Sequence, residues 1–323
     1  MAEIQLKVAQ VKSLTPNIKM FEFVAADGGE LPPFEAGAHI DIKTAHGLRS
    51  YSLANDPKER NRYVTAVLRE HSGKGGSRWM HEELKPSVTV TATAPIQNFP
   101  LVESAGKSLL LAGGIGITPM LAMAHRLIAL GKDFHLYYCT RSAEETAFRD
   151  EVKALLGDRV TFVHDGGDPS KGLNLKTTFG TQPEDTHLYV CGPGGLLRAV
   201  QDVTGHWRNG TVHYELFASA KTDEQKAQAA SKSREAFEVE LAQSGTTLTI
   251  PADKSILDVL LDNGFGVPYA CEDGWCGACT VGLISGKADH RDEFLSDADK
   301  AEGKKIQVCV SRAMPGEKLV LDL

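Results

Sequence analysis

The chain has 323 residues, 42% hydrophobic and 24% charged, with a formal net charge of −7. A chain of this length holds two or three domains, each able to bury a core. No run of about 18 apolar residues occurs, so a membrane span is not expected. The opening MAEIQLKVAQVKSL lacks an apolar signal core, and the expected location is the cytoplasm. The charge is uneven: residues 236–323 carry 15 Asp and Glu against 8 Lys and Arg, and the remainder sums to about zero. An acidic segment argues against nucleic acid as a partner. It would steer a partner with a basic patch, although acidic surfaces also serve solubility alone.

Residues 1–102 read as strands. IQLKVAQVKSL and KMFEFVAA alternate or run apolar and are broken by Asp27-Gly28-Gly29 and Leu31-Pro32-Pro33. HIDIKT, RSYSLA, YVTAVLRE and VTVTAT follow, and six short strands at this spacing indicate an antiparallel barrel. Arg49-Ser50-Tyr51-Ser52-Leu53 sets a cation, two hydroxyls and an aromatic on one strand. Strand alternation puts Ser50 and Ser52 on one face and Arg49 and Tyr51 on the other. Gly73-Lys74-Gly75-Gly76-Ser77 opens an expected helix over Ser77–Leu84, and a glycine turn at a helix start presents N–H groups to a phosphate. Alone, such a turn is more often just a turn.

Together these stretches resemble the flavin domain of the ferredoxin reductase superfamily. Its markers are R-x-Y-S on one strand and a Gly-rich loop with Ser or Thr at a helix start; Arg49-Ser50-Tyr51-Ser52 and Gly75-Gly76-Ser77 match them. The resemblance implies that Arg49 and Ser77 bind the flavin phosphate. It implies that Ser50, Tyr51 and Ser52 line the isoalloxazine ring, with Ala66, Val67 and Leu68 alongside.

From residue 103 to 224 strands alternate with helices, which indicates a parallel sheet covered on both faces. KSLLLAG is an apolar strand, followed by Gly113-Gly114-Ile115-Gly116-Ile117-Thr118-Pro119 and the amphipathic MLAMAHRLIALG. DFHLYYCT is the next strand, Ala143–Leu156 is expected to be helical, RVTFVHD is a third strand, and LKTTFG and HLYVCG continue the series. G-G-x-G-x-T-P is not the G-x-G-x-x-G fingerprint, but the physics is similar: a strand end, a glycine turn and a helix N-terminus. Cys191-Gly192-Pro193-Gly194-Gly195 ends a second apolar strand in the same way. In the superfamily these loops hold the pyridine nucleotide, which the resemblance transfers to Gly113, Gly114, Gly116, Thr118, Pro119, Gly192 and Pro193. Cys191 would stand near the nicotinamide, or serve as a small core residue, or both. Thr140-Arg141-Ser142 is where the adenosine ribose would lie, with NADH as the expected donor. Asp168 fits a simple turn better than an adenosine contact. In Val212-His213-Tyr214-Glu215-Leu216-Phe217, Phe217 is the aromatic expected to cover the flavin ring and Glu215 the acid expected near its edge, the alternative being that both merely end a strand and pack.

Ala218 to about Glu235 has almost no bulky apolar residue and reads as a connecting stretch, with 225–235 taken as the linker. Residues 236–323 form the last domain. FEVELAQSGTTLTIP is a hairpin, SILDVLLDNG a short helix, and CTVGLISG and KIQVCVSRA are strands. Between helix and strands lie Cys271, Cys276 and Cys279, and Cys309 follows after 29 residues. This C-x₄-C-x₂-C…C spacing is that of a plant-type [2Fe–2S] centre. Zinc is the competing occupant, but zinc knuckles come as two short C-x₂-C pairs. The order of elements resembles a plant-type ferredoxin of β-grasp fold.

Flavin barrel, nucleotide domain and C-terminal ferredoxin in this order resemble the phthalate dioxygenase reductase family, which includes vanillate demethylase reductases. Asp202–Trp207, Ala288–Asp292 and Leu319–Leu323 add to the likeness. It implies a monomer that uses FMN and NADH and passes electrons to a terminal Rieske-type oxygenase of aromatic catabolism. The chemistry agrees: NADH delivers two electrons as hydride, an iron–sulfur centre takes one, and a flavin converts between the two. A plant-type centre sits near about −400 mV, low enough to reduce a Rieske centre. A reductase for another acceptor, such as a diiron monooxygenase, is the alternative, but many of those place the ferredoxin first. A non-catalytic module holding zinc and a sensed nucleotide is a reading of a different class, and it would be colourless.

Overall fold

The computed structural model describes residues 3–70, 75–208, 210–216, 235–267, 269, 274, 277, 279–292 and 294–323. The chain divides into two compact units, Met1–Phe217 and Ala218–Leu323.

The first unit begins with β1 (Glu3–Thr15), β2 (Ile18–Ala25), β3 (Ala38–Thr44), β4 (Gly47–Ser52), β5 (Tyr63–Leu68) and β6 (Thr89–Thr93). They pair antiparallel in the order β4-β3-β6-β1-β2-β5. A strand too short to read from sequence, β7 (Ile96–Gln97), adds to β3. The alternation in β2 is what folds it: Phe21, Phe23 and Ala25 point inward while Glu22 and Val24 keep some exposure. The end strands meet around Ser52, whose carbonyl accepts from the Thr65 hydroxyl at 2.9 Å, and Ala54 N–H donates to Val64 O at 2.8 Å. The barrel therefore closes at the strand that carries Arg49–Ser52. Helix α1 (Gly76–Glu83) docks on β5 through buried Met80 and through His81, whose Nε2 lies 2.7 Å from Val67 O.

The second sheet is parallel: β8 (Lys107–Gly113), β9 (Asp133–Thr140), β10 (Val160–His164), β11 (Thr186–Gly192) and β12 (Val212–Leu216), in the order β10-β9-β8-β11-β12. The order reverses between β8 and β11, which makes their C-terminal ends the topological switch point. Helices α2 (Ile117–Ala129), α3 (Arg149–Leu156), α4 (Leu175–Phe179) and α5 (Gly194–Thr204) complete the layer. Both faces of the sheet are covered, hence the apolar runs in β8 and β11. Leu110, Ala112, Tyr189 and Cys191 share one core with Met120 and Leu127 of α2 and with Phe34 and Phe99. Leu109, Leu111, Leu188 and Val190 form another with Phe179, Leu197, Val200 and Trp207. Each fully buried large aliphatic side chain contributes roughly 2 kcal/mol.

Helix α3 starts at Arg149, not at Ala143 as the sequence suggests. The Thr146 hydroxyl and N–H turn back to Ser142 O (2.8 Å) and Ala143 O (3.3 Å), and Phe148 takes a left-handed φ of 56°, which no helix propagates.

The second unit contains β13 (Phe237–Leu241), β14 (Thr246–Ile250), α6 (Ile256–Asp262), β15 (Thr280–Ser285), β16 (Ala288–Asp289), α7 (Asp297–Glu302), β17 (Lys305–Gln307), β18 (Arg312–Ala313) and β19 (Leu319–Leu321). The sheet order is β14-β13-β19-β15-β17, with β13 and β19 parallel and the other neighbours antiparallel, and β16 pairs β18 separately. Ser255 and Asp258 close a capping box at the start of α6, whose Ile256, Leu257 and Leu260 pack on Val239, Leu241, Ile306, Leu319 and Leu321. KIQVCVSRA is not one strand: β17 ends at Gln307, a turn carries Cys309, and pairing resumes at Arg312.

Candidate functional site

One cleft of the first unit is walled by Arg49, Ser50, Tyr51 and Ser52 of β4, Ala66, Val67 and Leu68 of β5, Gly76 and Ser77 of α1, and by Glu70, Ile115 and Thr118. The expected flavin residues thus stand together. The β3–β4 register runs without a shift through Arg49–Ser52, so the alternation of β4 holds, and all four residues line the cleft at this terminal barrel strand. Ser50 also donates to Asp41 Oδ1 at 2.5 Å. Glu70, Ile115 and Thr118 line the same cleft but are not legible as part of it from sequence: Ile115 and Thr118 come from the nucleotide loop, and no single-strand pattern brings them here.

The start of α1 fits a phosphate. Gly75 caps it with φ 87°, no side chain caps its first N–H groups, and no acid stands in its first turn. Arg49 lies against it so closely that a Cβ on Gly76 would stand 2.6 Å from Arg49 Cγ and 2.7 Å from Nε. Oriented N–H groups beside a guanidinium are the donor set a phosphate monoester needs. Ser77 Oγ accepts from Glu70 N–H at 3.1 Å, which fixes the entry to the turn. Burial raises the Tyr51 phenol well above its ordinary value, against a smaller opposing effect of Arg49, so it stays neutral as a ring wall.

At the switch point the two glycine turns touch. Gly113 ends β8, Gly114–Gly116 make a tight turn, and Thr118 and Pro119 sit buried in the first turn of α2. A Cβ on Gly116 would stand 2.1 Å from Cys191 O, so the crossing of the two turns requires glycine there. Gly192 and Pro193 then lead into α5. Below them, Glu215 Oε2 accepts from the Cys191 thiol at 3.7 Å and from the Ser52 hydroxyl at 3.5 Å. Burial pushes the Glu215 carboxyl up to about 8, with the Cys191 and Ser52 hydrogen bonds acting the other way. Burial, and then the adjacent Glu215, raise the Cys191 thiol. Both groups are therefore neutral near pH 7. Barrel and nucleotide sheet converge on this trio.

The ribose turn divides. Arg141 is exposed and Ser142 half-buried. Thr140 is spent internally, its hydroxyl meeting Thr146 Oγ1 at 2.7 Å, His164 Nδ1 at 2.9 Å and Ser142 O at 3.1 Å. It shapes the turn from inside. Asp168 caps a short turn through Ser170 N–H at 3.1 Å, the plainer of its two readings. Phe217 lies outside the described residues, as do Gly73 and Lys74 of the glycine loop.

In the second unit, Cys271 and Cys276 lie outside the described residues, and Cys279 and Cys309 lie within them. Thr280 pairs with Gln307 across β15 and β17, and Val308 N–H donates to Cys279 O at 3.3 Å, so the register brings the two cysteines to adjoining strand ends. Both are buried, and Cys279 Sγ lies 3.0 Å from Gln307 Oε1. Gly274, between the first two cysteines, has φ 78°, and a Cβ there would stand 2.7 Å from Val310 Cγ2; one on Gly277 would enter the Phe294 ring at 2.2 Å. These turns admit glycine alone. Two thiols on paired strand ends beside a glycine-forced loop fit a four-thiolate cluster.

Comparison with known proteins agrees. Residues 239–314 match the 2Fe-2S iron-sulfur cluster binding domain, and residues 110–202 the oxidoreductase NAD-binding domain. The chain is 45% identical to phthalate dioxygenase reductase of Burkholderia cepacia over 99% of its own length and 97% of that protein's. The chain belongs to the phthalate dioxygenase reductase family. It is 41% identical to a vanillate O-demethylase oxidoreductase of a Pseudomonas species, over 99% of this chain and all of that one. The solved phthalate dioxygenase reductase, described as a modular structure for electron transfer from pyridine nucleotides to [2Fe–2S], superposes with a TM-score of 0.68 at 44% identity, covering 100% of this chain and 98% of that one. The chain is accordingly an iron–sulfur oxidoreductase with a pyridine-nucleotide domain. Among the described residues, no helix is long and apolar enough to cross a membrane.

Proposed function

We propose that this chain is the reductase component of a Rieske-type aromatic-ring oxygenase or demethylase system, carrying electrons from NADH through FMN to a [2Fe–2S] cluster and on to the terminal oxygenase. One observation supports the reading: the Arg49–Ser52 strand and the first glycine turn of the nucleotide sheet line a single cleft, with the end of β11 joined to it through the Ser52–Glu215–Cys191 hydrogen bonds, in a chain that also carries the four-cysteine unit. The phosphate cradle at Gly75–Ser77 and Arg49 suits the phosphate of FMN. Residues 1–102 would form the flavin domain, 103–224 the nucleotide domain and 236–323 the ferredoxin domain, in a cytoplasmic monomer.

The residues divide the work. Arg49 and the α1 N-terminus hold the phosphate and so fix the ring against Tyr51, Ser52 and Val67. The turns at Gly113–Pro119 and Cys191–Pro193 seat NADH at the switch point. Arg141 and Ser142 stand beside its ribose. Glu215 Oε2 accepts from the Ser52 hydroxyl and the Cys191 thiol and so ties the barrel strand to the end of β11, where the nicotinamide would be held. A flavin bound here supplies the conversion of an electron pair into the single electrons an iron–sulfur centre takes.

The test is anaerobic addition of NADH to the purified protein, read in the visible spectrum. Flavin bands and the cluster shoulder should both bleach, and re-oxidation by a candidate oxygenase should restore them. A colourless protein, or one whose colour ignores NADH, would end this reading.

A further inference from the structure

Asp292 lies against Gly274, the glycine that stands between Cys271 and Cys276 in the sequence. Its side chain has no exposed surface, and it belongs to no part of the thiolate set. A Cβ on Gly274 would stand 3.0 Å from Asp292 Cα and 3.2 Å from its Cβ, so Gly274 packs directly on this residue. One carboxylate oxygen accepts from Leu295 N–H at 2.8 Å. The other accepts from the fully buried Ser311 hydroxyl at 3.2 Å. Ser311 stands two residues beyond Cys309, and its oxygen also accepts from Arg291 N–H at 3.2 Å. A lysine and a histidine face the carboxylate. Lys300 Nζ, from α7, is 3.9 Å from Oδ2 and donates to the Asp292 carbonyl at 2.7 Å. His290 Nδ1 is 3.5 Å from Oδ1 and, buried, has no hydrogen-bond partner among the described residues.

A buried carboxylate is expensive to fold unless its charge and hydrogen bonds are used. Here it packs against Gly274 and reaches the Cys309 segment through Ser311. We infer that Asp292, with Ser311 and Lys300, is the positioning element of the [2Fe–2S] centre, tying Gly274 to the Cys309 segment and tuning the centre's reduction potential by its buried charge. The inference rests on the four-cysteine reading. A fixed negative charge beside the centre opposes the arrival of an electron and lowers the potential, while Lys300 offsets part of that effect. Outer residues of this kind commonly orient metal ligands.

The two charges predict shifts of opposite sign. Full-length Asp292→Asn and Lys300→Met proteins are analysed for iron and acid-labile sulfide, then titrated reductively with EPR detection of the cluster and optical detection of the flavin. Asp292→Asn should move the cluster potential positive and Lys300→Met should move it negative, with the flavin potential unchanged in both. Loaded variants with the wild-type potential, or shifts of one sign in both, would overturn the inference. Where Asp292→Asn fails to retain its cluster, Lys300→Met decides: a negative shift supports the assignment, and no shift or a positive one overturns it. Wild-type protein without iron would overturn the four-cysteine reading instead, a separate result.

Discussion

Cys191 and Glu215 are register partners on the adjacent strands β11 and β12, and the thiol lies 3.7 Å from the Glu215 carboxylate. Parallel pairing puts both side chains on the face turned toward the barrel, where Ser52 completes the trio at 3.5 Å. A carboxyl in such a place keeps its proton.

The pH dependence follows from that proton. The folded protein holds the Glu215 carboxyl at about 8, against an ordinary 4.5. Folding therefore favours the protonated form. The stability it contributes is complete below about pH 4.5 and is lost as pH rises through about 8. Thermal unfolding of the flavin–nucleotide unit should weaken over this window by on the order of 1–2 kcal/mol after allowance for partial solvation. Glu215→Gln should remove that part of the slope. An identical pH slope in the variant would show that Glu215 does not titrate there.

Arg49 and Gly76 should act as one feature. Loss of a charge-assisted hydrogen bond to a bound phosphate costs about 1.5–3 kcal/mol, or roughly 10–100-fold in affinity. Arg49→Ala should release FMN to that extent in equilibrium dialysis. Gly76→Ala should do so as well, because the added methyl would stand 2.7 Å from Arg49 Nε and push the guanidinium aside. Unchanged FMN retention in both variants would remove the phosphate role.

Cys309→Ser should separate the two halves of the electron path. The variant should lose the cluster's visible absorbance and the transfer of electrons to an oxygenase. It should keep NADH-driven bleaching of the flavin, since every residue of that cleft belongs to Met1–Phe217. Cys279→Ser should behave alike, because the β15–β17 register places the two thiols at adjoining strand ends. Retained cluster absorbance in either variant would refute the ligand assignment.

Much of this architecture is legible from local pattern. The apolar runs of β8 and β11 announce a sheet covered on both faces, and the cysteine spacing announces its cofactor. What escapes local pattern is what depends on distant partners. Helix α3 is short because Thr146 turns back on Ser142 and Phe148 leaves the helical region, although Ala143–Leu156 has helical composition. Thr140 reads as a ribose contact by position, but His164 and Thr146 claim its hydroxyl from within. Ile115 and Thr118 reach the flavin cleft only because the nucleotide turn folds against the barrel. Asp292 carries no sequence signal beyond its place in Ala288–Asp292, since its burial depends on Ser311 and Lys300 arriving from elsewhere.

The acidic balance of residues 236–323 gives a last prediction. Within this unit Lys254, Lys304 and Lys305 are engaged with Asp262, Glu302 and Asp299, while Asp253, Asp258 and Asp297 remain exposed. The surface keeps a net negative field, which accelerates encounter with a basic patch and is screened beyond about 8 Å at physiological ionic strength. Electron transfer to the oxygenase should therefore slow several-fold between about 0.02 and 0.3 M salt. NADH reduction of the flavin, which involves no docking of this unit, should change much less. Stopped-flow measurement of both steps on one preparation, at constant FMN content, separates them. Equal responses in the two steps, or none in the second, would remove the acidic unit as the steering surface.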